Sequence, residues 1–284
     1  MIKLVLTDLD DTLIPFEDKG IAAPQTLAAI KTLLEAGVHF GPVTGRTPNG
    51  TGEAFANDAH MYATGAFANG QLICLDGEVV HREWTPAEPL QRAADILDEI
   101  ELGVLIDYDM EGDRGARYIS KKPERLGVIE DFGFTITNAQ PAIDGDTLKA
   151  NIRVGSPSRE VVTEVRDILR REVPELDFVF PSNLVPIIDI LPAGFGKGSA
   201  VRILAKTMGI RLDEVATFGD SENDLQMLEA VPNSVAMANA NDEVKRAARW
   251  HIGTSASYAA ADALLDIAAA TMSGRMPSFM QEGR

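Results

Sequence analysis

Short apolar runs alternate with amphipathic stretches along most of the chain. Ile2, Leu4, Val5 and Leu6 read as a buried strand. Pro24 suits a helix start, Leu27, Ile30 and Leu34 share one face of that helix, and Gly37 stops it. Val38 to Val43 return as a strand ending in Thr44-Gly45-Arg46, and Met61-Tyr62-Ala63 and Gln71 to Leu75 predict further short strands. This βαβ order predicts a parallel sheet with right-handed crossovers.

The pattern shifts near Val79 to Pro89. A helix begins between Pro86 and Pro89 and carries Leu90, Ala94 and Leu97 in register. Paired strands are predicted over 103–108 and 117–120, around a polar loop at 109–115. A helix near 124–132, a strand at 148–154, a helix at 158–172 and strands at 178–180 and 186–191 follow. A block with its own helices and strands reads as an inserted α/β domain. Alternation then resumes with a helix at 198–208, a strand at 215–219, a helix at 222–228, a strand at 234–237 and a final helix at 259–270. Gly, Pro and charge between 273 and 284 predict a frayed tail. The expected architecture is α/β, with a Rossmann-like parallel-sheet core over 1–82 and 190–284 and an inserted α+β domain over 83–189.

Composition narrows the functional classes. Among 284 residues, 26 basic against 43 acidic side chains give a net charge of −17. That disfavours nucleic acid and anionic membranes as partners, because both require a basic footprint. An anionic substrate would need a locally positive pocket. Cys74 is the single cysteine, which excludes an intrachain disulfide and points to a reducing, cytoplasmic setting. It lies in an apolar run and reads as a packed thiol. No signal peptide and no membrane span is visible, and His39, His60, His81 and His251 lack the spacing of a zinc site.

The chemistry concentrates where strands end. Open α/β sheets bind ligands beyond the carboxyl ends of their strands. The first strand runs into Asp8-Leu9-Asp10-Asp11-Thr12, and the strand at 215–219 runs into Asp220-Ser221-Glu222-Asn223-Asp224. Adjacent carboxylates repel unless a cation or shared proton lies between them, and oxygen-only ligation suits Mg²⁺. The bland alternatives are an acidic turn at 8–11 and a helix cap at 220–224. Two acidic sites ending separate strands of one alternating unit favour the cation. Thr44 offers a hydroxyl and a strand-end amide to a phosphoryl oxygen. Lys197, in Gly194-Phe195-Gly196-Lys197-Gly198-Ser199, departs from a P-loop because Gly198 stands where Ser or Thr is required. A lysine at a helix start can still reach a phosphate or paired carboxylates.

In the order Asp-x-Asp, Thr, Lys, Gly-Asp-x-x-x-Asp, these residues resemble the haloacid dehalogenase superfamily of aspartate-nucleophile phosphatases. The long insert between Thr44 and Lys197 resembles the large cap of its Cof-like group, subfamily IIB. Phe67-Ala68-Asn69-Gly70, Ile188-Asp189-Ile190-Leu191 and Val235-Ala236-Met237-Ala238-Asn239-Ala240 are similar to stretches of that group. Asp11 stands where a glycine is common, and Asp189 where Glu is frequent. The resemblance implies Asp8 as nucleophile and Mg²⁺ ligand. It implies Asp10 as a backbone ligand that protonates the leaving oxygen and then activates water. Asp220 completes the metal ligands, with Asp224 in support. Thr44, Gly45, Lys197 and Asn223 hold the phosphoryl group. Arg46, Asn69, Asn183 and Asp189 fall at the expected seam between core and cap, and specificity is expected along 107–118 and around 182–183. The implied activity is Mg²⁺-dependent hydrolysis of a small phosphate ester, a sugar phosphate above all, through an aspartyl-phosphate. A sugar phosphomutase on the same core is the alternative, followed by a non-enzymatic phospho-receiver.

Overall fold

The computed structural model describes residues 1–110, 115–126, 139–182 and 185–281. It divides into two compact units, 1–81 with 196–284, and 82–195.

The first unit is built on a five-stranded parallel sheet. Its strands are β1 (Leu4–Thr7), β2 (His39–Pro42), β12 (Val215–Gly219), β13 (Asn233–Ala236) and β14 (Trp250–His251), in the order β14-β13-β12-β1-β2. Leu4, Val5 and Leu6 have no exposed surface, as expected for a central strand covered on both faces. One face packs on helix α1 (Pro24–Glu35) and the long C-terminal helix Ala259–Ser273, through Ile30, Leu33, Leu264 and Ile267. The other packs on the helix Lys197–Thr207 through Ala200, Val201 and Leu204. Strands β3 (Gly65–Phe67), β4 (Leu72–Leu75) and β5 (Glu78–Arg82) form a small second sheet, with β3 and β4 antiparallel.

The insert carries a six-stranded sheet in the order β10-β11-β9-β6-β7-β8. These strands are β6 (Gly103–Tyr108), β7 (Ala116–Ile119), β8 (Ala139–Gln140), β9 (Ala150–Val154), β10 (Leu176–Val179) and β11 (Ile187–Pro192). Helices Ala87–Ile100 and Arg159–Glu172 cover one face, burying Leu90, Leu97, Val165 and Leu169 against Leu105 and Ile152. The other face presents Ile106, Tyr108 and Tyr118, with Asn151 bonded to the Tyr108 hydroxyl at 3.2 Å.

Four expectations change. The run 61–63 is not a strand: 59–61 form a 3₁₀ turn, and pairing begins at Gly65. The helix expected over 222–228 is a 3₁₀ turn, Glu222–Asp224, followed by a helix, Leu225–Ala230. Strand β11 pairs antiparallel with β9 and β10 throughout, so the insert extends beyond 190. The tail is tied down rather than frayed over its described residues, which end at Gln281. Met280 is buried, and Asp266 accepts hydrogen bonds from the Ser278 amide and, at 3.0 Å, from its hydroxyl. The helix expected near 124–132 lies largely outside the described residues, which hold a 3₁₀ turn at Pro123–Leu126. No described helix is long and apolar enough to cross a membrane.

Candidate active site

Parallel pairing brings the first two acidic motifs together. Strand β1 lies between β12 and β2, with Thr7 opposite both Phe218 and Pro42. The chain therefore leaves β1 at Asp8 next to where β12 ends at Gly219-Asp220 and where β2 continues to Thr44. Helix Lys197–Thr207 begins close by, and its first side chain reaches inward. The Lys197 Nζ donates to Asp8 Oδ1 at 2.5 Å and to Asp224 Oδ1 at 2.6 Å, and none of its side chain is exposed. Gly198 is required there: a Cβ at that position would come within 2.4 Å of the Gln226 carbonyl oxygen. Close packing against the 225–230 helix explains why no Ser or Thr follows this lysine.

Oxygens of Asp8, Asp220 and Asp224 lie within 4.8 Å of one another, and all three residues are buried. Asp220 is gripped from two sides, by the Thr12 hydroxyl at 2.6 Å and the Ser221 hydroxyl at 2.8 Å. Asp224 uses its second oxygen to accept from the amides of Asp220 (2.9 Å) and Ser221 (3.0 Å), which folds the loop back over it. The sequence pattern alone assigns Thr12 and Ser221 no role. Their signal was position alone, a hydroxyl beside each acidic pair.

Three buried carboxylates share one ammonium, and the imbalance shows in the proton affinities of Asp8 and Asp220. Burial raises the Asp8 carboxyl well above its ordinary range, Asp224 and Asp220 raise it further, and Lys197 offsets only part. Burial and then Asp224 push Asp220 up to about 7. Burial would pull the Lys197 ammonium down, but Asp224 and Asp8 outweigh it and hold the proton more firmly. A small divalent cation fits this donor set: hard oxygens only, buried, with negative charge in excess.

The remaining site residues fall into two groups. Thr44 is buried beside β1, and its hydroxyl accepts from the Arg46 amide at 3.1 Å. Its own amide donates to the Ala66 carbonyl at 2.9 Å, so that amide is not available to a phosphoryl oxygen. Only the hydroxyl is. Gly45 follows at the half-buried turn. Asn223 donates to the Asn69 side chain at 3.1 Å and keeps its own buried amide oxygen unpartnered. Asp10 does not join the cluster. Its side chain is 53% exposed and forms an ion pair with Arg46.

Asp189 lies in the insert on β11, with an oxygen 4.0 Å from the Lys149 ammonium, and Asn183 lies outside the described residues. Of the span expected to set specificity, Asp107 turns to the helix-covered face and pairs with Arg117, while Tyr108 and Tyr118 lie on the opposite face of the sheet.

Residues 5–264 match the family of haloacid dehalogenase-like hydrolases. A Haemophilus influenzae protein that carries a provisional phosphatase name is 28% identical over 250 residues, 87% of this chain and 91% of that protein. The HMP-PP phosphatase of Serratia proteamaculans is 26% identical over 257 residues, 86% of this chain and 87% of its own. Among solved structures, a Streptococcus mutans protein superposes with a TM-score of 0.78 at 21% identity, covering 95% of this chain and 100% of its own. A HAD subclass IIB sugar phosphatase superposes with a TM-score of 0.73 at 20% identity, covering 96% of this chain and 99% of its own. Strand-end acids, a buried lysine and this match over most of the sequence lead to one conclusion: the chain belongs to the haloacid dehalogenase-like hydrolase family.

Proposed function

We propose that this HAD-type phosphatase is Mg²⁺-dependent and hydrolyses small phosphorylated metabolites, sugar phosphates first among them, through an aspartyl-phosphate on Asp8. The observation that carries the reading is the Asp8 carboxylate held by a fully buried Lys197, beside Asp220 and Asp224.

Asp8, Asp220 and the Asp10 backbone would hold Mg²⁺, which supplies charge neutralisation for the phosphoryl oxygens. Asp224, whose oxygens are committed to Lys197 and to the loop amides, anchors the lysine and shapes the loop. In the first displacement an Asp8 oxygen forms a bond to phosphorus, the ester P–O bond breaks, and the leaving oxygen takes a proton from Asp10. In the second, Asp10 takes a proton from water, the water oxygen bonds to phosphorus, and the Asp8–phosphorus bond breaks. Lys197, the Thr44 hydroxyl and Asn223 orient the transferred group and oppose its charge, which is where catalysis of phosphoryl transfer chiefly resides.

The acidic balance of the chain, −17, and the sugar-phosphatase and HMP-PP-phosphatase names among its relatives support a small phosphate ester rather than a polymer. The deciding experiment is a phosphate-release screen over sugar phosphates, HMP-PP, nucleotides and phosphorylated cofactors, with and without Mg²⁺, using Asp8→Asn as the blank. Mg²⁺-dependent release that Asp8→Asn abolishes is the expected result. Release that persists in Asp8→Asn would remove the nucleophile from the scheme. Dependence on a bisphosphate activator without net release would replace hydrolysis by the mutase reading.

A further inference from the structure

The half-exposed Asp10 carboxyl is held by a guanidinium that comes from a different strand end. Arg46 Nε donates to Asp10 Oδ2 at 2.9 Å, and Nη2 donates to Oδ1 at 2.5 Å, a two-pronged fork on one carboxyl edge. The arginine is itself fixed at both ends. Its amide donates to Thr44 Oγ1 at 3.1 Å, its carbonyl accepts from the Ala68 amide at 2.9 Å, and its Nη1 donates to the Gly20 carbonyl at 2.9 Å. Gly20 sits at φ +84°, and a Cβ there would lie 2.9 Å from Nη2. The turn after the first motif is thus shaped around the guanidinium.

Stability does not account for this arrangement. The Asp10 side chain is 53% exposed, and ion pairs so open to water contribute about 0–1 kcal/mol. Geometry does. An unheld aspartate at that exposure samples several rotamers, whereas a general acid must meet one oxygen from one direction. The fork occupies one edge of the carboxyl and leaves the other for the proton.

We propose that Arg46 is a positioning residue for Asp10, its guanidinium seated on the Gly20 turn so that the carboxyl faces the leaving oxygen. The inference rests on the phosphatase reading, with Asp10 as the acid of the first displacement. In that step the Asp8–phosphorus bond forms, the ester P–O bond breaks, and the departing oxygen accepts the Asp10 proton. A poor leaving group such as an alkoxide requires that proton. A 4-nitrophenolate scarcely does.

The test compares kcat/KM, which reports events up to the first irreversible step, for a sugar phosphate and for 4-nitrophenyl phosphate. Arg46→Ala should lose at least about tenfold more on the sugar phosphate, within the 10²–10⁴ that a placed general acid provides. Arg46→Lys should not recover it, because a point charge lacks the fork, whereas added guanidinium ion should recover part of the Arg46→Ala loss. Gly20→Ala, which displaces the fork while keeping the charge, should show the same ester-selective loss to a smaller extent. In an Asp10→Asn background, the Arg46→Ala loss on the sugar phosphate should shrink to less than about threefold, since coupled residues are non-additive. Equal losses on both esters, or an undiminished Arg46 effect without Asp10, would overturn the positioning role alone and leave the phosphatase reading standing. A wild-type protein that releases phosphate from neither ester would overturn that reading and this one with it.

Discussion

Both units of the chain bury acidic side chains, but they balance the charge differently. In the insert two buried acids face a cation, Asp107 paired with Arg117 and Asp189 4.0 Å from Lys149, and a third, Asp98, accepts from the Ser120 hydroxyl at 2.6 Å and the Lys121 amide at 2.7 Å. In the core, Asp8, Asp220 and Asp224 share the single ammonium of Lys197. A matched buried pair is self-contained, and removing one partner strands the other at a cost of about 3–5 kcal/mol. An unmatched cluster stores repulsion that only a bound cation or a proton relieves. The contrast separates acids that hold a fold from acids that hold a ligand.

The largest effects should split along that line. Asp8→Asn is expected to lower phosphate release by at least about 10⁴-fold, as for loss of a nucleophile. It should raise the metal-free melting temperature, because one buried charge leaves a repelling group. Asp107→Asn should do the reverse to stability: it leaves the 8%-exposed Arg117 guanidinium with only the exposed Asp144 carboxylate, 3.8 Å away, at a cost of about 3 kcal/mol measured by denaturant unfolding. If both variants destabilised equally, the distinction between the clusters would collapse.

Lys197→Met sharpens the comparison next. It removes the only ammonium from the cluster, so the metal-free protein should lose about 3–5 kcal/mol at neutral pH. Much of that loss should vanish at pH 5, where the acids take up protons. Release of phosphate should fall together with stability, unlike in Asp8→Asn.

The pH dependence of metal binding comes third. Asp220, raised to about 7, and Asp8, raised by burial, hold protons in the folded state that the unfolded chain releases near its ordinary carboxyl range of about 4. Their contribution to stability is therefore present at low pH and lost as pH rises through about 7. The metal-free melting temperature should fall between pH 5 and 8. Saturating Mg²⁺ should restore a few degrees at pH 8, since a ligand at 100 times its Kd adds about 2.7 kcal/mol, and less at pH 5, where protons compete. Calorimetry at the two pH values checks the sign. A Mg²⁺ effect that is larger at pH 5 would contradict the unbalanced cluster.

How much of this was legible in the sequence follows from range. The convergence of Asp8 with Asp220 could be argued because apolar runs of a parallel sheet must end on one edge, and the acids follow those runs directly. The helix Pro48–Ala54 was not, because Gly50 and Gly52 obscure its period; its signal is the Thr47 side chain, which accepts from the Gly50 amide. The direction of a polar side chain was hidden as well. Nothing in Asp8-Leu9-Asp10 reveals that the second carboxyl turns away to Arg46, or that the Thr44 amide is spent on Ala66. The tail misled through composition. Gly274 and Pro277 looked like fraying signals, yet they aim Ser278 at Asp266.

Asp11 offers the smallest and finest test, because it sits beside the cluster without belonging to it. It adopts φ 62°, a left-handed conformation that costs a residue with a Cβ about 1–2 kcal/mol, less for Asp and Asn. Against that, its carboxylate accepts from the Ser255 hydroxyl at 2.8 Å, and its carbonyl accepts from the Asn239 side chain at 2.8 Å. Asn239 in turn accepts from the Ser255 amide at 2.9 Å, so three loops lock together. Asp11→Gly removes the strain and one hydrogen bond of about 1 kcal/mol while freeing the unfolded chain. The terms nearly cancel, and unfolding free energy should change by less than about 1 kcal/mol. Asp11→Asn keeps both the turn and an acceptor, removes a charge that raises Asp220, and should leave Mg²⁺ affinity within about threefold of wild type, since Asp11 is the last and smallest influence on that carboxyl. A tenfold loss in isothermal titration with Mg²⁺ would move Asp11 from the loop lock into the metal cluster, and the line drawn here between holding the fold and holding the ligand would have to be redrawn one residue further along the chain.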